Sequence, residues 1–310
     1  MSDIYGEIER EWVAHYRRMP CETPSRAEFS DLCAAQETET RGQTSDGIQP
    51  WLGIFEFGIE WLTYIHIALD PENSVNQQRP CHRVTWALVG AAVSFGFSVR
   101  TLCLSGFDTP ARALLRSYVD ALLLCLAVLH DEALAQAYMD AKDDAQVKTF
   151  WHTIASPKNL RKRIIQIEKT AGFDQETITA MTEYRRAEYE ILSQSAHLSY
   201  VVSCLTSVAP VLGDPDYFRG AIFGLATENS VRTIHYAAAT TWYFSRLGYN
   251  LILGRDSSKC LLTFDKESDL QRRIVVGREV ISSITIGHWE ERLREILMRS
   301  VKGKHGGGRV

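Results

Sequence analysis

The chain has 310 residues, room for two domains or for one large domain with appendages. Its composition, 45% hydrophobic and 23% charged, is that of a globular protein and excludes a disordered or low-complexity chain. With 34 basic against 38 acidic groups the net charge is -4, which excludes a basic nucleic-acid-binding coat over the whole molecule.

Seven cysteines (Cys21, Cys33, Cys81, Cys103, Cys125, Cys204, Cys260) are odd in number, widely spaced and without a Cys-x-x-Cys pair, so they read as reduced thiols of a cytoplasmic protein. Residues 1–20 carry Asp3, Glu7, Glu9 and Glu11, whereas an export signal needs a basic start and an unbroken apolar stretch. The periodicity is helical nearly throughout, and no stretch sustains the alternation of a half-buried strand. The expected fold class is therefore all-α, a multi-helix bundle with an N-terminal helical appendage.

A first helix over residues 3–18 stops before Pro20, and a second starts near Ser25 and fades into the polar run 38–47. That run has no large apolar residue and reads as a linker. Residues 1–50 hold five basic and ten acidic groups. Residues 1–47 thus read as an acidic helical hairpin, 48–300 as the helical core domain and 301–310 as a disordered tail.

Residues 50–69 hold Trp51, Ile54, Phe55, Ile59, Trp61, Leu62 and Ile65, apolar over more than half of a helix circumference, and predict a helix buried on several sides. Residues 84–104 predict another. Its apolar stretch between Arg83 and Arg100 is sixteen residues, short of the roughly 20 that a bilayer span needs, so no membrane contact is expected. In Gly106-Phe107-Asp108-Thr109-Pro110, Thr109 suits a cap and Pro110 the first position of a helix reaching His130. Residues 131–154 predict one amphipathic helix, and Ser156-Pro157 starts a short basic one that ends at Gly172. Residues 174–197 continue the pattern, and 200–210, rich in β-branched residues, suit either a strand or a helix tail. Asp214-Pro215 predicts a long helix to 247, and 265–299 predict one or two more, broken near Gly287. The apolar content of 215–249, with Phe218, Ile222, Tyr236, Tyr243 and Phe244, exceeds one buried face and predicts a two-fold dimer through apolar helices.

No phosphate-binding glycine loop, no Gly-x-Ser-x-Gly elbow and no Glu-x-x-His or paired-histidine spacing occurs, so neither a cofactor nor a metal is expected. The chemistry-bearing pattern lies in residues 111–129, apolar on every side except for Arg112, Arg116, Ser117 and Asp120. Arg112, Arg116 and Asp120 stand at i, i+4 and i+8, a single polar stripe across an otherwise buried helix. Buried charges must be paired. The stripe is either an inter-helix ion-pair network or an anion site in which guanidinium groups hold a phosphate bidentately. A second candidate is Ser193 with His197, one helical turn apart, where a hydroxyl can reach an imidazole. The alternative is a histidine that merely ends its helix.

The segments Ala-Arg-x-Leu-Leu-Arg-Ser-x-x-Asp (Ala111 to Asp120) and Tyr-x-x-Leu-Ser-x-x-x-His-x-Ser (Tyr189, Leu192, Ser193, His197, Ser199) resemble a bacterial family of helical proteins that accompanies abortive-infection and phage-defence genes. The resemblance covers residues 84–200. It implies an intracellular bacterial effector in phage defence or stress response, distantly similar to the HEPN helical bundles, many of which are metal-independent ribonucleases. The ribonuclease signature Arg-x(4 to 6)-His occurs at Arg10 with His15 and at Arg299 with His305, about the number chance supplies. The arginine serving His197 would then come from another helix, as Arg112 or Arg116. In that chemistry a histidine moves a proton while arginine stabilises the charge growing on phosphorus, with RNA or a phosphate-bearing ligand as substrate. The basic run Lys158, Arg161, Lys162, Arg163 and Lys169, and the six basic against two acidic groups of the last twenty residues, are landing surfaces for RNA or solvated faces. The other reading of the whole is a non-catalytic dimeric scaffold or regulator that binds a partner protein.

Overall fold

The computed structural model describes residues 4–18, 26–70, 79–197, 199–255 and 260–305. The chain is helical over 79% of its length, as an all-α bundle. It opens with α1 (Ile4–Tyr16) and α2 (Arg26–Gly47), followed by the core helices α3 (Trp51–Ala68), α4 (Pro80–Leu104) and α5 (Asp108–His130). The expected start at Ser25 and the thiol of Cys21 lie outside the described residues. The polar run expected as a linker is the last part of α2. Thr40 and Thr44 are 1% and 0% exposed, so small hydroxyl residues let this helix lie close to the core.

α4 and α5 are packed against each other and against α3 and α11 (Glu228–Leu247). α4 is longer than the stretch between Arg83 and Arg100. Both α4, at 25 residues, and α5, at 23, are long and apolar enough to cross a bilayer by length and composition alone. α5 runs through the interior: Leu122, Leu124 and Leu126 are fully buried, each contributing roughly 2 to 3 kcal/mol of apolar burial. It begins at Asp108, two residues before the start at Pro110 that a Thr109 cap would give. Asp108, its first residue, turns its carboxylate to accept hydrogen bonds from the hydroxyls of Thr227 and Ser230 at the start of α11. Beside it, Gly106 at φ +74° and Gly224 at φ +90° let two turns meet, with Leu225 N donating to Gly106 O at 3.2 Å. A Cβ on Gly224 would stand 2.1 Å from Ser105 O.

The single helix expected over 131–154 is three pieces: α6 (Glu132–Asp140), α7 (Asp144–Thr149) and one π-helical turn, Phe150–Ile154. Asp131 caps its start, and Asp143 cuts it. Asp131 accepts from Ala133 N and Leu134 N, and Asp143 forms a reciprocal capping box with Gln146. α8 (Pro157–Thr170) starts at the Ser156 cap, and α9 (Gln175–Ala196) at the Asp174 cap, both as expected. Two carboxylates tie these helices down. Buried Glu168 takes Arg185 at 2.8 Å and Tyr243 Oη at 2.6 Å, and Glu188 takes Arg232 through three bonds of 2.7 to 3.0 Å.

Residues 200–211 are both of the alternatives: α10 (Tyr200–Ser207) runs into β1 (Val208–Val211). β2 (Asp214–Gly220) pairs with it antiparallel, so the helix expected from Asp214 starts only at Glu228. Gly213 in the left-handed region turns the hairpin, and Thr227 supplies the cap that Asp214 does not. α11 lies inside the bundle: of the residues expected at a dimer interface, Tyr236, Tyr243 and Phe244 are at most 3% exposed and fill the core, whereas Phe218 and Ile222, 53% and 61% exposed, stay on the surface. α12 (Tyr249–Ile252), the short parallel pair β3 (Leu253–Gly254) and β4 (Leu262–Thr263), and α13 (Asp269–His305) complete the chain. α13 continues past Gly287 and past residue 301, where a tail was expected to begin; residues 306–310 lie outside the described residues.

Candidate functional site

The fold divides the α5 stripe. Arg112 turns toward α11, where its Nη2 donates to Asn229 Oδ1 at 2.8 Å and its Nε to Thr233 Oγ1 at 3.2 Å, with Asp108 nearby. Burial lowers its pKa, and Asp108 works against that. The recess beside it holds about 40 Å³, room for little more than a water molecule. Arg112 is thus a bound structural cation.

Arg116, one turn on, has no such anchorage. Its Nε stands 3.8 Å from Asp120 Oδ2, beyond a hydrogen bond, its Nη1 is 3.5 Å from His197 Nε2, and its guanidinium carbon lies 5.1 Å from the centroid of the Tyr189 ring. Elsewhere in the core, arginine meets carboxylate at 2.7 to 2.8 Å, as in Arg185–Glu168 and Arg232–Glu188. The difference has a physical meaning. A structural pair closes to contact because unpaired desolvated charges are costly, whereas Arg116 keeps donors free beside an opening.

That opening is a cleft of about 480 Å³, within the range of small-molecule sites. Five helices plus the π-helical turn line it, with α8 contributing Pro157 and Leu160. α4 supplies Leu88, Ala91 and Phe95; α5 supplies Arg116, Ser117 and Asp120; α6 supplies Tyr138; the turn supplies Trp151 and His152; and α9 supplies Tyr189. The walls are aromatic and the polar groups converge on the α5 side. Wider π-helical turns occur often at functional sites, and this one brings Trp151 to the cleft wall. Behind Asp120 a smaller recess of about 50 Å³ is bordered by Arg161, Arg185 and Arg186.

Burial pushes the Asp120 carboxyl up to about 6, with Arg116 pulling it down. The Tyr189 hydroxyl is also raised, by burial first and then by Asp120. One cation and one carboxyl that ionises only near neutrality therefore face the cleft. Among the described residues no group of three His, Cys, Asp or Glu side chains is placed to hold a metal.

Of the residues singled out from sequence, Arg116, Asp120 and His197 come together, while Arg112 does not join them. His197 ends α9, its N–H donating to Ser193 O at 3.2 Å and Gln194 O at 3.3 Å, so the helix-ending role is present along with the approach to Arg116. The Ser193 hydroxyl makes no hydrogen bond among the described residues, and neither Ser193 nor His197 lines the cleft. Of the basic run on α8, Arg163 is held by Asp131 at 2.5 Å, whereas Arg161 borders the smaller recess. Sequence reasoning missed Ser117, Tyr138, Trp151 and His152 as wall residues. The adjacent Phe150, Trp151 and His152 were the available signal, an aromatic cluster at the end of the amphipathic segment. No protein-family model, characterised protein or solved structure matches the chain.

Proposed function

We propose that this protein is an effector that recognises a small, ring-bearing phosphate ester, such as a nucleotide, in the Arg116 cleft. The setting is the phage defence or stress response that the resemblance of residues 84–200 implies. The observation that carries the proposal is the unanchored guanidinium of Arg116 at the mouth of an aromatic-walled cleft of about 480 Å³. A guanidinium offers a planar fork of donors that matches a phosphate, and Trp151, Tyr138 and Phe95 offer faces for a ring. Asp120 takes up a proton as the anion enters and then donates to it.

The 3.5 Å approach of His197 to Arg116 favours a second reading, in which the same site cleaves RNA. His197 then accepts the 2'-hydroxyl proton as that oxygen attacks phosphorus. Arg116 stabilises the extra charge, and the P–O5' bond breaks to leave a 2',3'-cyclic phosphate and a 5'-hydroxyl protonated by water.

Calorimetric titration of the full chain with the four ribonucleoside 5'-monophosphates, inorganic phosphate and an aromatic carboxylate tests the proposal. Binding of at least one nucleotide, weakened about 10- to 100-fold in Arg116→Gln, is expected from the loss of a charge-assisted hydrogen bond. Binding of the carboxylate alone, or of nothing, overturns the phosphate reading. Incubation with a single-stranded RNA tests the second reading: cleavage that His197→Ala abolishes supports it, and intact RNA ends it.

A further inference from the structure

Among the described residues, the hairpin of β1 and β2 is the sheet with the longer strand, and its two outer edges differ. In an antiparallel pair, residues that exchange hydrogen bonds alternate with residues that do not. Ala221 N donates to Ser207 O at 2.9 Å, and the register pairs Val208 with Gly220, Ala209 with Arg219 and Pro210 with Phe218. The bonded pairs are therefore Ser207 with Ala221 and Ala209 with Arg219. The backbone groups of Val208 and Pro210, and those of Phe218 and Gly220, point outward from the ribbon.

On the β1 side that edge is closed, because Val208 N already donates to Cys204 O and Pro210 has no N–H. On the β2 side it is open. Residues 216–220 are exposed, and β2 belongs to a sheet of two strands. Tyr217 and Phe218 stand 57% and 53% exposed at this edge. Backbone groups left unpaired along an edge strand are a template for pairing with another strand.

We infer that the occupant is a second copy of this chain, whose β2 pairs antiparallel with the first about a two-fold axis through Phe218. The sequence of the strand is self-complementary in that register. A two-fold axis normal to the sheet opposes one residue with itself, and the outward-pointing groups select Phe218. Tyr217 then stands opposite Arg219 of the second copy, and Arg219 opposite its Tyr217, giving two cation–aromatic pairs and no like charges face to face. Asp216 meets Gly220. The result is a continuous four-stranded sheet joining two bundles, formed through the hairpin and not through the helices.

Sedimentation equilibrium of the full chain across the micromolar range is expected to give twice the monomer mass, and Phe218→Lys the monomer mass with an unchanged melting temperature. In a background lacking Cys21, Cys33 and Cys204, Phe218→Cys is expected to form a disulfide dimer with oxidised glutathione, because facing Cα atoms in a bonded pair lie about 5.5 Å apart. Ile222→Cys, 61% exposed but far from its own copy in this register, is expected to form no disulfide dimer. A monomeric wild type, a dimer that Phe218→Lys leaves intact, or equal cross-linking at 222 overturns the inference.

Discussion

Replacing Asp120 by Asn is expected to stabilise the protein at neutral pH, the reverse of what removal of a structural ion-pair partner does. An ordinary aspartate titrates near 3.8 and this one is pushed up to about 6 by burial. Below 3.8 both folded and unfolded chains hold the proton and Asp120 makes no difference. Between 3.8 and 6 the unfolded chain releases its proton while the folded chain keeps it, so wild-type stability falls as pH rises through this window. Above 6 the carboxylate is charged in both states and the full penalty applies. The gap corresponds to roughly 3 kcal/mol, and the side chain's 26% exposure and its approach to Arg116 reduce the expected gain in Asn to about 1 to 2 kcal/mol at pH 7. Urea denaturation of both proteins from pH 4 to pH 8 measures it. A variant less stable than wild type at pH 7, or a difference that does not shrink toward pH 4, refutes the reasoning and makes the Arg116–Asp120 pair a stabilising one.

Three further outcomes follow from the same geometry. Arg185→Met leaves buried Glu168 without its cation and is expected to lower stability by about 3 to 5 kcal/mol, whereas Arg116→Met, whose partner stands 3.8 Å away, is expected to lower it by about 1 kcal/mol or less; chemical denaturation compares the two directly. Gly224→Ala forces a side chain into a left-handed residue and against Ser105 O, and a loss of more than about 2 kcal/mol is expected in the same assay. An anion beside Asp120 favours its protonated form, so nucleotide affinity measured by calorimetry is expected to rise as pH falls from 7.5 through 6, and to lose that dependence in Asp120→Asn.

Much of the architecture was legible because it rests on local chemistry. The apolar circumference of residues 51–68, the Ser156-Pro157 start and the Asp174 cap each act within one turn of helix, and each is where the sequence places it. Two elements misled. Residues 214–227 carry the apolar content of a helix, but Gly213 and Gly224, both at positive φ, permit the turns on either side of β2 and its return to the bundle. Residues 131–154 have one amphipathic period, and only the competing cap at Asp143 and the change to a π-helical turn at Phe150 divide it. The candidate site was half legible. The i, i+4, i+8 spacing correctly put Arg112, Arg116 and Asp120 on one stripe, but their partners come from α9 and α11. Only tertiary packing distinguishes the anchored Arg112, bonded to Asn229 and Thr233, from the unanchored Arg116. The cleft wall at Trp151 depends on a π-helical turn, which has no signature in hydrophobic spacing.

The central claim is that ligand enters between α5, α9 and the π-helical turn, and hydrogen–deuterium exchange of the full chain tests it most directly. With saturating ribonucleoside 5'-monophosphate, the account predicts slowed exchange in the Phe150–Ile154 turn and around Tyr189, absent in Arg116→Gln. Unchanged exchange in those segments, or protection confined to other parts of the bundle, would contradict it.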